Sequence, residues 1–148
     1  MSIQEQINID IIKSMKNKES KKLEALRAAK SAILLECSKD GREKVDDEKA
    51  IKIITKLVKQ RKDASEIYIN QKRNDLAQIE INQLTVLQTY MPKQIDNNQL
   101  EIIVREVVQE LNAKSQKDFG KCISILIKKL NGQADGKLIS EFLKKELN

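Results

Sequence analysis

Lys59-Gln60-Arg61-Lys62-Asp63 places four donors and one acceptor on little more than one helical turn, and Lys52, Lys56 and Lys59 carry a basic face into it. Cations arrayed along a helix contact phosphates by displacing counterions from a nucleic-acid backbone, without reading base sequence. The same residues also make an ordinary solvated surface. A second stretch, Asp118-Phe119-Gly120-Lys121 followed by Leu130-Asn131-Gly132-Gln133-Ala134-Asp135-Gly136-Lys137, compresses two helices into a tight corner. Gly120, inside a helical pattern, is expected to admit a neighbouring backbone. Gly136, opening a helix, leaves its first amides uncovered, and these amides with Lys128, Lys129 and Lys137 nearby can hold a phosphate. Asp135 competes for the same amides as a cap, so the corner reads either as a structural turn or as an anion site. The candidate phosphate-binding set is Lys52, Lys56, Lys59, Arg61, Lys62, Lys121, Lys128, Lys129, Gly132, Gly136 and Lys137.

Chemistry of other kinds finds few residues to work with. There is no histidine, hence no Ser-His-Asp or Cys-His pair and no imidazole base. Four glycines in 148 residues form no phosphate-cradling loop, and no GxSxG elbow is present. Asp46 and Asp47 with Glu43 and Glu48 either bind a divalent ion weakly or offset a helix dipole, the second being the expected role. Cys37 and Cys122 match no metal spacing and fall in apolar helical registers, as buried thiols do. No catalytic residue, cofactor or metal is expected.

The elements that must position these residues are all helices, because the apolar spacing is helical nearly everywhere and nowhere keeps a period of two. The expected class is all-α with seven helices. The first opens on a capping box, Ser2 with Glu5, carries Ile3, Ile7 and Ile11 or Ile12, and stops near Asn17. The second runs from about Ser20 to Ser38 with Leu23, Leu26, Ile33, Leu34 and Cys37 inward, and Asp40-Gly41 ends it. The third, about Asp46 to Asn70, buries Ile51, Ile54, Leu57, Val58, Ala64 and Ile67, while Lys49, Lys52, Lys56 and Lys59 share another face. The fourth carries Leu76, Ile79, Leu84 and Leu87 up to Tyr90, where Pro92 halts it and Tyr90 packs at a hinge. Asp96 with Gln99 caps the fifth, stapled by Ile95 and Leu100. Ser115 opens the sixth, which buries Phe119, Ile123, Leu126, Ile127 and Leu130 and closes on a left-handed Gly132. The seventh buries Leu138, Ile139, Phe142, Leu143 and Leu147. The expected division is a four-helix unit over 1–91 and a three-helix unit over 95–148.

Apolar residues make up 40% of the chain, enough for a core, but aromatics only 3% with no Trp. The core is therefore aliphatic, and an RRM-like or OB-like reader, which stacks single-stranded bases on rings, is not expected. A net charge of +6 favours an anionic partner. No apolar run approaches a membrane span, and Met1 to Lys30 lacks the apolar core of a signal peptide, so a cytosolic (cytoplasmic) protein without a membrane partner is expected.

The segments KQRKDA at 59–64, RNDLA at 73–77, YMPKQI at 90–95, KDFGK at 117–121 and NGQADGKLIS at 131–140 together resemble the YqeY family over essentially the whole chain. That resemblance implies the same two-part helical fold. It also implies that the C-terminal part is similar to the tail of the B subunit of the aspartyl/glutamyl-tRNA amidotransferase, which helps hold the tRNA body. The family thereby carries a label as a carbon-nitrogen ligase with glutamine as amido-N-donor, although this chain shows neither an ATP site nor an amidase nucleophile. Where the amidotransferase tails tend to have Lys and Pro, the corner here has Gln133 and Gly136. The expected function is a non-catalytic, tRNA-binding or amidotransferase-associated accessory protein, with tRNA and amidotransferase or other translation proteins as partners. The alternatives are a protein-interaction module using an apolar groove between the two units, and a stand-alone amide-transferring enzyme.

Overall fold

Helical apolar spacing along most of the chain leads to seven α-helices and no strand in the computed structural model, which describes residues 1–148. They are α1 (Ile3–Lys16), α2 (Ser20–Asp40), α3 (Asp47–Asn70), α4 (Asn74–Gln88), α5 (Asn97–Glu110), α6 (Phe119–Lys129) and α7 (Gly136–Glu146). The chain divides into two compact units, Met1–Met91 and Pro92–Asn148. No helix is long and apolar enough to cross a membrane.

Local signals set the helix ends. Ser2 Oγ accepts the Glu5 amide at 3.1 Å while the Glu5 carboxylate accepts the Ser2 amide, closing the capping box of α1. Asp96 and Gln99 close another on α5. Asp46 accepts the Lys49 amide at 2.8 Å and so starts α3. Gly41, at φ 65°, supplies the left-handed residue that ends α2, a conformation costly for any residue with a Cβ. Gly132 is left-handed too, at φ 75°.

In the first unit Ile7 and Ile11 of α1 meet Leu26, Ala29, Ile33 and Cys37 of α2, Ile54 of α3 and Leu87 of α4 in one buried cluster. Removing such a side chain to Ala typically costs about 2–5 kcal/mol. Ile11 is the inward member of its pair and Ile12 is exposed. Leu34, expected inward, is 47% exposed, because it stands about 100° round α2 from the buried Ile33.

The cluster reaches no further along α3 than Val58 and no earlier on α4 than Val86; between them only Ser65 and Ala77 are buried. The outer part of the α3–α4 hairpin thus has little beyond its own two helices to pack on. Ile67 and Ile79, expected inward, are consequently exposed.

The second unit has its own core of Leu100, Val104, Val107, Cys122, Leu126, Leu130, Ile139 and Leu143, with Ile95, Phe119 and Phe142 packed against it. Ser115 caps a short 3-10 turn, Gln116–Asp118, and α6 begins only at Phe119. Ile127 is exposed and not buried as expected, again one residue round from the buried Leu126. Burial, and then Asp118, push the Cys122 thiol above its ordinary pKa, which leaves it an unreactive core group.

Candidate nucleic-acid interface

With about 100° of rotation per residue, Lys52, Lys56 and Lys59 fall within about 60° of one another on the side of α3 opposite the buried Ile54. All three are exposed. They span about 10 Å of helix axis. The side chain of Lys52 lies 4.0 Å from Glu48, an exposed i,i+4 pair of the kind that contributes little. Lys56 and Lys59 are in no ion pair, and neither is Lys62, which stands to one side of the row. Asp63 follows Lys59 on the same line and ends the positive run.

Two nearby cations are excluded from the row. Arg61 lies two residues past Lys59, on the inward side, and its Nε donates to Gln83 Oε1 of α4 at 3.2 Å. Arg61 is half-buried and set apart from the row, and the contact shows what Gln83 does: it ties the hairpin together. Lys49 is bound to Asp40 at 2.9 Å, and this hydrogen bond together with the lysine charge holds the Asp40 carboxyl below its ordinary pKa.

The acidic group at the start of α3 is spent on structure. Asp46 caps the helix, and Asp47 Oδ1 accepts the Ile3 amide at 2.9 Å, fastening the start of α1 to the start of α3. No set of three or more acidic or cysteine side chains is gathered as metal ligands.

In the second unit Lys121 and Lys128 are exposed and seven residues apart, two helical turns, so they share the outer line of α6. Lys129 is exposed about a quarter turn round, and Lys137 is exposed at the start of α7. Helix α6 contains no carboxylate.

The corner between α6 and α7 is more heavily used than its sequence suggests. Gln94 Nε2 donates to the Gly132 carbonyl at 2.6 Å, and the Ile95 amide donates to the Gln133 carbonyl at 3.0 Å, so the segment entering α5 is stitched to the corner. Asp135 Oδ1 accepts the Lys137 amide at 3.1 Å. The amides expected to stand uncovered at Gly136 are thus at least partly taken by a carboxylate that repels an anion. Gly120 differs too: a Cβ built there meets nothing within 4 Å, so no neighbouring backbone requires the glycine.

Three contacts escaped the sequence. Tyr90 packs against the core of the first unit and its hydroxyl donates to Asp10, whose other oxygen accepts from Gln6 Nε2 at 2.9 Å. Gln94 and Ile95 pair with the corner across nearly forty residues, with no local signal to announce it. Lys21 and Lys22 line a shallow hollow of about 500 Å³ with Asn82, Thr85 and Val86. The signal available there was the opening of α2, which has two lysines and no carboxylate in its first turn.

Each unit therefore carries its own exposed, sparsely paired lysines and no gathered acid, base or nucleophile. No curated protein matches the chain. The family model described as Yqey-like protein matches residues 4–147, which is nearly the whole length. The segments that frame these lysines are thus parts of one continuous match, and the chain belongs to the YqeY family.

Proposed function

We propose that the chain is a tRNA-binding accessory protein that works beside an amidotransferase or another translation protein and does no chemistry of its own. The observation that carries this reading is the outer face of α3, where Lys52, Lys56 and Lys59, flanked by Lys62, are exposed and only Lys52 approaches a carboxylate. Lys121, Lys128, Lys129 and Lys137 supply a second set of exposed cations on the unit whose sequence resembles the amidotransferase tail. In the corner these side chains are the phosphate contacts, because the Asp135 carboxylate accepts the Lys137 amide and repels an anion from the helix start.

Recognition of this kind is electrostatic. Each lysine that neutralises a phosphate releases counterions, so log affinity falls linearly with log salt, with a slope of about −0.9 per contact on a duplex. Retardation of tRNA by the purified chain across a salt series tests the proposal. Changing Lys128, Lys129 and Lys137 to Ala should flatten the slope, and changing Lys56, Lys59 and Lys62 to Ala should flatten it as well. Absence of any complex at low salt would reject the function.

A further inference from the structure

Resting on the nucleic-acid reading just given, we infer that the Lys52, Lys56 and Lys59 row selects base-paired nucleic acid over an unpaired strand. Selection for unpaired strands relies on rings that stack bases, and stacking compensates the entropy lost when a flexible strand is ordered. The chain has four aromatic rings, and neither of the two in the first unit lies beside the row. Tyr68 is the ring on the same helix, nine residues past Lys59, which is two and a half turns and places it on the opposite side of α3. Tyr90 packs against the aliphatic core and donates to Asp10. Phe119 and Phe142 pack against the core of the second unit, and the Lys144 ammonium sits 5.9 Å from the Phe119 ring centre.

The guanidinium of this helix is also turned away from the row. Arg61, the arginine of α3, donates to Gln83 and faces away from the row. What remains is a row of three exposed lysines on one side of a continuous 24-residue helix. Their points of attachment are held in register by the helix, so they suit phosphates whose own spacing is fixed, as in a paired strand. An unpaired strand must first be ordered along the row, and no ring is present to compensate that cost.

The test uses the full chain and two RNA probes with equal numbers of phosphates, a hairpin that is nearly all duplex and an oligouridylate that stays unpaired. Fluorescence anisotropy at low and moderate salt is the readout. The hairpin should bind at least about tenfold more tightly, and changing Lys52, Lys56 and Lys59 together to Ala should remove most of that preference while the circular dichroism spectrum stays unchanged. Changing the same three to Arg, which keeps charge and position, should retain it. Equal affinity for the two probes would overturn the selection and leave RNA binding standing. A hairpin preference untouched by the Ala variant would overturn the assignment to this row. Failure of both probes to bind at low salt would overturn the underlying function as well.

Discussion

Tyr90 is the residue whose ionisation is most constrained by its surroundings. Burial first, and then the hydrogen bond and charge of Asp10, raise its hydroxyl above the ordinary value of 10.0. The folded state therefore favours the neutral ring. Stability from this contact is complete below about pH 10, where the phenol is neutral folded or unfolded, and is lost as pH rises beyond that toward the raised pKa. Tyr90→Phe should cost about 1 kcal/mol at neutral pH, since Asp10 loses a donor but keeps Gln6. Urea titrations at pH 7 and above pH 10 should show the difference between wild type and variant shrinking in alkali. Ser14 makes the opposite case. Its hydroxyl is buried without a partner on the inner side of α1, so Ser14→Ala removes a desolvated polar group and leaves the packing nearly unchanged. A gain of about 1 kcal/mol is expected, visible as a rise in the thermal midpoint.

At the scale of the element, Gly120 separates what a helix needs from what a neighbour imposes. It lies in the first turns of α6 with open space where a Cβ would stand and without a left-handed backbone. Gly120→Ala should then stabilise the protein by about 0.5–1 kcal/mol through helix propensity alone, measured by chemical denaturation. Any loss would mean that helix propensity does not decide this position. The sequence suggested a packing role for this glycine because periodicity identifies a helix without saying how much of its circumference is covered. The same limit explains Leu34 and Ile127, each one residue from a fully buried neighbour, and Ile67 and Ile79, on a hairpin that outruns its core. Caps were legible because their chemistry is local: Ser2 with Glu5, Asp96 with Gln99, and the left-handed Gly41 that ends α2 follow from residues a few positions apart, whereas α6 ends on Leu130, two residues before the left-handed Gly132. In the candidate site the three outer lysines of α3 were legible from spacing. The inward turn of Arg61 was not, since it depends on Gln83 of another helix.

At the scale of the molecule, each compact unit carries a complete aliphatic cluster of its own. In the second, residues from α5, α6 and α7 all enter one core, and both the entry to α5 and the α6–α7 corner are fixed by hydrogen bonds inside the same unit. A unit of roughly 60 residues buries a smaller share of its surface than a larger domain and is only marginally stable for that reason. Its helices nevertheless have the features that let small domains fold alone: a capping box on α5, side-chain caps at Ser115 and Asp135, and buried stripes that meet in one place. The segment Pro92–Asn148 expressed by itself should therefore show a helical circular dichroism spectrum and a cooperative thermal melt, at a lower midpoint than the full chain. It also contains Lys121, Lys128, Lys129 and Lys137 but none of the α3 row, so it should bind tRNA with a shallower salt slope than the full chain. A featureless, non-cooperative melt would mean that this unit depends on the rest of the chain to fold. A slope equal to that of the full chain would place the phosphate contacts in the second unit and remove α3 from the interface.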